Sequence, residues 1–138
     1  MFGDTEHGWT AKGERRMRRV GSTADAKIRV VLATPSKVDA YCRRGGAYTG
    51  GKWSCFNGFG VAALNAKRWR TGPTTAHYPS LDQYRAYLVD HEVGHGLGYG
   101  HRTCPRKGAL ANVMLPQSRV FYGCRPNGWP YPHGAPAR

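Results

Sequence analysis

The sequence has few acidic residues and no long apolar run. Asp and Glu together number 8, against 21 Lys and Arg, which gives a formal net charge of +13. No stretch approaches the roughly 18 consecutive apolar residues of a membrane-spanning helix, and residues 1–16 lack the apolar centre of a signal peptide. With 138 residues, the chain is expected to form one domain over 1–138.

The basic charge indicates attraction to anionic partners such as nucleic acid, cell-wall polymers or acidic substrates. Its densest cluster contains Arg15, Arg16, Arg18 and Arg19. The aromatic residues are not interleaved with basic residues, as they would be on a surface that stacks nucleotide bases. We therefore favour a solvated basic surface and do not expect a nucleic-acid partner.

The four cysteines lack the Cys-x-x-Cys spacing of zinc ribbons and thioredoxin-type redox sites. An even number in a small chain with 19 Gly and 9 Pro predicts two disulfides and an oxidising compartment. Three pairings are possible. We favour Cys42–Cys55 and Cys104–Cys124, because each pair lies within one apparent structural block.

The sequence of the first half of the chain predicts several β-strands. The segments with alternating or β-branched residues are 14–20, 27–34, 52–56 and 59–69. Asn57-Gly58 predicts a hairpin between the last two segments. A short helix is expected over 36–44, after Pro35, and GGAYTGG then forms a loop.

One long helix is predicted over residues 81–97. Ser80 and Gln83 form a capping-box pattern at its start, and glycines at 96–98 favour its end. Its helically spaced residues on one face are Tyr84, Leu88, His91 and His95. The remaining chain is irregular, except for a short helix expected near 116–122. Strands followed by a long helix indicate an α+β domain.

The stretch HEVGHGLGYGH, which begins at His91, has the pattern of a metal site. His91 and His95 are four residues apart, so a helix places them on one side. Gly98 allows the chain to turn back, so that His101 can supply a third ligand. Three ligands leave one position of zinc open for water, whose proton Glu92 would accept. We predict one Zn²⁺ per chain, with Glu92 as the catalytic base.

This motif resembles that of the metzincins, which are zinc endopeptidases with three histidine ligands and a methionine-containing turn beneath the metal. The resemblance assigns that turn to Met114 in ANVMLPQ, 13 residues after His101. It implies a zincin fold: a small twisted mixed sheet, an active-site helix, and here an irregular C-terminal part closed by a disulfide. Metzincins bind extended peptides along an edge strand, which by chain order would lie near residues 52–56.

A closer resemblance covers most of the chain, from about residue 8 to residue 132. The chain is similar to a family from high-GC Gram-positive bacteria, known as domain of unknown function 3152. The similar stretches are GWTAKGERRMRRV, KIRVVLATPSKVDAYC, YRAYLVDHEVGHGLGYGHRTCP and GCRPNGWPYP. The resemblance implies a secreted or envelope-anchored metallopeptidase domain with the same ligands, base and methionine. Relatives have a strand and a helix ahead of Gly8-Trp9, which this chain is expected to lack.

Other side chains give less specific predictions. Some metzincins have a tyrosine two residues after the methionine, where this chain has Pro116. Tyr99 or Tyr122 could replace it, although we favour a packed ring for each. Asp90 could orient a metal ligand, although a solvated helix side is favoured. The histidines expected on surface loops are His7, His77 and His133. The tryptophans expected to anchor the core or loops are Trp53, Trp69 and Trp129.

The motif predicts a monomeric zinc-dependent peptidase that acts on proteins or peptides, outside the cell or in its envelope. One alternative is a non-catalytic zinc-binding domain whose basic surface holds an anionic partner, either cell wall or nucleic acid. A second is a nucleic-acid-binding module, whose affinity would fall steeply with salt. A glutamate beside an open metal position favours the enzyme.

Overall fold

The computed structural model describes residues 6–74 and 78–134. Within these residues the chain forms a small α+β structure, as predicted. Its elements are β1 (Arg29–Ala33), α1 (Pro35–Arg44), β2 (Cys55–Phe56), β3 (Val61–Asn65), α2 (Ala66–Thr71) and α3 (Leu81–Gly96). A 3₁₀ turn at Thr23–Asp25 precedes them.

The three strands form one mixed sheet in the order β1-β3-β2. The central strand β3 is parallel to β1 and antiparallel to β2. All five residues of β3 are buried, because α1 and α3 pack on its two faces. Val61 and Ala63 belong to the core cluster beneath α1, whereas Leu64 belongs to the cluster around α3. The small mixed sheet is therefore confirmed, with β2 at one edge.

The other edge strand, β1, exposes apolar side chains. Val30 and Leu32 are 41% and 53% exposed. Proteins usually cover or charge such edges. The expectation that relatives have a further strand and helix before this region stays a prediction.

The predicted hairpin forms, but its second strand is shorter than 59–69. Only Val61–Asn65 is a strand, and α2 follows it directly. The side-chain oxygen of Asn65 accepts hydrogen bonds from the backbone N–H groups of Lys67 and Arg68 at 2.9 and 3.2 Å. This N-cap starts a helix where the strand was predicted to continue.

No strand forms over 14–20, so that prediction is wrong. Arg15 donates a hydrogen bond to the carbonyl of Leu97 at 3.3 Å, and Met17 packs against the core. The weak alternation reflects docking of one side of the segment onto the protein. Within the described residues, the segment has no neighbouring strand with which to pair.

The helix predicted near 116–122 is also absent, and the segment forms turns. The carbonyl of Pro116 accepts a hydrogen bond from the N–H of Arg119 at 3.0 Å. The side chain of Gln117 instead joins a buried network with Asn127. This network stabilises the segment, whereas a helix would be stabilised by repeating backbone hydrogen bonds.

The long helix is confirmed. The hydroxyl of Ser80 accepts a hydrogen bond from the N–H of Gln83 at 3.2 Å, as the capping pattern predicts. The helix ends at Gly96, one residue before the predicted end. Ten of its residues are buried, on all sides of its axis. It is therefore a core helix that positions its side chains rigidly.

Both predicted disulfides are confirmed. Cys42–Cys55 joins α1 to β2, and Cys104–Cys124 closes a loop in the C-terminal part. Two disulfides are compatible with an extracellular location. In the described parts of the chain, every helix is too short or too polar to cross a membrane.

Candidate metal centre

Two histidines of α3 lie one helical turn apart, with ring centroids separated by 4.8 Å. The Nδ1 atom of His91 lies 2.8 Å from the carbonyl oxygen of Val113. The Nδ1 atom of His95 lies 2.9 Å from the carbonyl oxygen of Tyr99. A carbonyl can only accept a hydrogen bond, so each Nδ1 carries the proton and each Nε2 is left available for a metal ion.

The third histidine comes from the chain that follows the helix. Gly98 has a φ of 99°, and its N–H donates to the carbonyl of His95 at 3.0 Å. This left-handed turn ends the helix and brings the chain back. One nitrogen from each of His91, His95 and His101 lies within 4.8 Å of the others. The three side chains can therefore bind one metal ion.

Complete or partial desolvation favours the neutral form of these histidines, which is the form that binds metals. Desolvation lowers the pKa of His91 to about 3. The same cause lowers the pKa of His95 and of His101. Three neutral imidazoles suit a divalent ion such as zinc.

Glu92 is the acidic group of the site. Its side chain lines the same cavity as the three histidines and is only 6% exposed. Burial raises the pKa of Glu92 to about 8, although the Arg119 guanidinium and the Phe56 N–H oppose this rise. Its Oε2 atom is buried and has no hydrogen-bond partner among the described residues. This oxygen is therefore available to a water molecule or a ligand in the cavity.

The cavity has a volume of about 400 Å³. Its walls are the hairpin around β2, the end of α3 and the turn after Met114. The hairpin side includes Trp53, Ser54, Cys55, Phe56 and Asn57, and the turn side includes Pro116, Ser118 and Arg119. The sheet edge formed by β2 thus lies along the cavity.

Met114 lies beneath the helix, in buried contact with it. A Cβ atom at Gly94 would lie only 2.5 Å from the Met114 sulfur, so the glycine permits this close approach. The Asn112 side-chain oxygen accepts a hydrogen bond from the Met114 N–H at 2.8 Å, which shapes the turn. The same turn presents the Val113 carbonyl to His91. The turn therefore supports the helix at the first histidine.

Three predictions about neighbouring side chains have different outcomes. Asp90 is fully buried, so the predicted solvated helix side is wrong. Trp9 packs on α3 at this point, and its indole N–H donates to the Asp90 backbone carbonyl at 2.9 Å. Tyr99 is a packed ring, stacked 4.7 Å from Trp9. Tyr122 is 69% exposed, so its predicted packing is wrong. Tyr122 lies in a surface turn and has a positive φ of 50°.

The structure also tests the tryptophans predicted to anchor the core or loops and the histidines predicted on surface loops. Trp69 packs against the main core, and Trp129 is half-buried with its ring 5.9 Å from that of His7. His133 is exposed. His77 lies outside the described residues.

Tyr87 and Arg119 are among the cavity residues that sequence reasoning missed. The Tyr87 ring lies 5.1 Å from that of His91, and burial raises the pKa of Tyr87 well above its usual range. Its hydroxyl donates to the Leu115 carbonyl at 3.2 Å and accepts from the Gln117 N–H at 2.8 Å. Its position four residues before His91 is a signal that could have found it. Arg119 had no such signal, because only folding brings its turn to the helix.

The fold and the site define a small, disulfide-containing α+β protein whose three histidines can bind a metal. A family model described as "Protein of unknown function (DUF3152)" matches residues 3–123. The chain belongs to this family, which confirms that resemblance. The match ends at Gly123, so the expected similarity over GCRPNGWPYP stays a prediction. Comparison with curated proteins and with solved structures gives no match.

Proposed function

We propose that this protein is a zinc-dependent peptidase of the metzincin type. One observation carries the proposal: three neutral histidines and a buried glutamate with an unsatisfied oxygen share one open cavity. A site that only stores or holds a metal has no need of such a glutamate. The support of α3 by Met114 fits a methionine turn.

Zinc bound by His91, His95 and His101 would acidify water and polarise the carbonyl of the scissile bond. A zinc ion nearby would favour the ionised form of Glu92, and this carboxylate faces the same cavity and could then accept a proton from water. It can then pass that proton to the leaving amine. The carbonyl partners of His91 and His95 hold the two rings in place throughout.

The substrate would be a protein or peptide bound in extended form beside β2. This strand pairs with β3 on one side, and its other side has no strand partner among the described residues. Peptides often bind by adding a strand to such an edge. The two disulfides favour a site of action outside the cell or in its envelope, and we propose a monomer.

The metal is tested by elemental analysis of purified wild type, His95→Ala and His133→Ala. His133 is an exposed histidine outside the cavity and serves as the matched control. We expect about one zinc per chain in wild type and control, as in other three-histidine sites, and loss of zinc in His95→Ala. A folded wild type without zinc after incubation with zinc would contradict the proposal.

Catalysis is tested with a peptide pool derived from whole-cell protein, in which cleavage is followed by mass spectrometry. Glu92→Gln should keep its zinc and lose turnover by about 10²- to 10⁴-fold, the usual contribution of a general base. Glu14→Gln is the control, because Glu14 is exposed and lies outside the cavity. Near wild-type turnover in Glu92→Gln would remove Glu92 from the mechanism.

The net charge of +13 supports a second candidate, a non-catalytic zinc domain that holds an anionic polymer. Zinc-loaded wild type that cleaves no peptide but binds cell-wall polymer would favour it. Binding to nucleic acid that falls steeply between 50 and 200 mM salt would favour a nucleic-acid partner instead.

A further inference from the structure

Among the described residues that line the cavity, the one Lys or Arg is Arg119. Its guanidinium carbon lies 4.9 Å from the centroid of the Trp53 ring. Trp53 precedes β2, whereas Arg119 belongs to the turn after Met114, so the pair connects the two walls of the cavity. Both side chains are at least partly exposed, which places the pair at the cavity mouth.

Arg119 lies near the groups inside the cavity. It lines the same cavity as Glu92 and His101. A group bound to Arg119 would therefore lie close to a peptide bond held at the histidines.

A second arginine of this protein shows what a structural arginine–tryptophan pair looks like. Arg85 lies 5.2 Å from the ring centroid of Trp69. Its Nε donates to the Trp69 carbonyl at 2.9 Å, and its guanidinium lies 3.8 Å from a carboxylate oxygen of Asp82. Arg85 thus already has a hydrogen-bond acceptor and a carboxylate partner within the protein.

Arg119 differs in this respect. Among residues 6–74 and 78–134, no carboxylate lies within ion-pair distance of it. Contact with the Trp53 ring restricts the guanidinium, so less entropy is lost when it binds a ligand. A guanidinium with available donors matches the geometry of a carboxylate, which can accept two hydrogen bonds at once.

We propose that Arg119 determines substrate specificity by binding a carboxylate of the peptide at the cavity mouth. The proposal rests on the proposed peptide substrate and names its class: peptides with an acidic group near the scissile bond. Two sources share this chemistry, the side chain of Asp or Glu and the carboxylate at a peptide C-terminus. The excess positive charge of the protein would also speed the approach of such anionic peptides.

Binding is measured without turnover, in zinc-loaded Glu92→Gln protein, by fluorescence anisotropy with tetramethylrhodamine-labelled peptides. One pair compares Ala-Ala-Asp-Ala-Ala amide with its Asn counterpart. A second pair compares penta-alanine as free acid with its amide. We expect about tenfold tighter binding of the acidic member of at least one pair, as is typical of a charge-assisted hydrogen bond. The pair that shows the preference identifies the source of the carboxylate.

Substitutions at Arg119 then test its role. When Arg119→Gln is added to the Glu92→Gln protein, the affinities for the acidic and the neutral peptide of a pair should differ by no more than about twofold. Arg119→Lys should keep part of the preference because the charge remains. Arg16→Gln removes one charge from an exposed arginine outside the cavity and should leave the preference unchanged. Unchanged zinc content in each variant shows that the site is intact.

The outcomes separate this proposal from the peptidase itself. Equal binding of the members of both pairs, or a preference that survives Arg119→Gln, overturns the role of Arg119 even if peptides are cleaved. Conversely, the acidic peptides could be preferred through Arg119 while zinc-loaded wild type cleaves nothing in the peptide pool. That result would support the carboxylate site and contradict the peptidase.

Discussion

The sheet and helices over residues 29–96 and the C-terminal part over residues 97–134 are ordered by different interactions. The first region consists mostly of helices and strands, so repeating backbone hydrogen bonds hold it. The second has turns and a single isolated bridge between Leu110 and Arg125. Its order depends on specific side chains and on the disulfide Cys104–Cys124.

The buried amides of the second region show how this works. Gln117 donates from its side chain to the Asn127 carbonyl at 2.7 Å and accepts from the Asn127 N–H at 3.0 Å. The Asn127 side chain in turn donates to the carbonyls of Ala111 and Trp129. Two side chains thus satisfy backbone groups that a helix or sheet would satisfy by repetition. Such a region depends strongly on a few individual residues.

The candidate metal centre joins the two regions. His91 and His95 come from the end of α3, whereas His101 and the Val113 carbonyl belong to the C-terminal part. An ion bound by the three histidines would therefore link a region of regular structure to a region of turns. We expect the stability of the C-terminal part to depend more on the ion than the stability of residues 29–96 does.

Metal removal should have the largest effect. An ion held at a thousandfold excess over its dissociation constant stabilises the folded state by about 4 kcal/mol. We expect a chelator to lower the melting temperature and to increase hydrogen exchange over residues 99–134 more than over α3. His101→Ala is the control, because a chelator should then have no further effect. Equal deprotection of both regions would show that they unfold as one unit.

Asn127→Ala should be the next most damaging change. It leaves the buried carbonyls of Ala111 and Trp129 without their partner, at a cost of about 1–3 kcal/mol for each unsatisfied group. Gln83→Ala removes an exposed amide from α3 and should change the free energy of unfolding by no more than about 0.5 kcal/mol. Denaturant unfolding of both variants measures the difference. A loss in Asn127→Ala as small as in Gln83→Ala would mean that the network contributes little.

Gly94→Ala should have a smaller effect, at the contact between the two regions. The new methyl group would meet the Met114 sulfur at 2.5 Å and the Trp9 ring at 2.7 Å. Overpacking costs about 1–3 kcal/mol, and the better helix propensity of Ala offsets up to about 1 kcal/mol of it.

The matched control is Gly100→Ala. A Cβ atom at Gly100 meets nothing within 4 Å, and its φ is not positive. This change should be neutral or stabilising by about 0.4–1 kcal/mol. Thermal unfolding of both variants tests the pair, and a Gly94→Ala protein as stable as wild type would show that Met114 can move away at little cost.

Features that depend on nearby residues in the chain could be predicted well. The long helix follows from the Ser80 cap and the helical spacing, and the two disulfides follow from pairing within local blocks. The gathering of His91, His95 and His101 also follows from local geometry, because one helical turn and one left-handed glycine bring them together.

Features that depend on distant contacts were predicted wrongly or not at all. The strand expected over 14–20 lacks a partner, and the helix expected near 116–122 gives way to the Gln117 network. Asp90 is buried in the core, and its backbone carbonyl accepts a hydrogen bond from Trp9, 81 residues away in the chain. Arg119 reaches the cavity only because its turn folds against the hairpin.

The amino-acid sequence by itself determined the metal-binding motif, the helix that carries it and the cysteine pairs, because each results from spacing within about 20 residues. Tertiary structure decided the burial of Glu92, the carbonyl partner of His91 and the position of Arg119. These features arise where segments distant in sequence exclude water or supply a hydrogen bond, and a local pattern carries no information about which segments will meet.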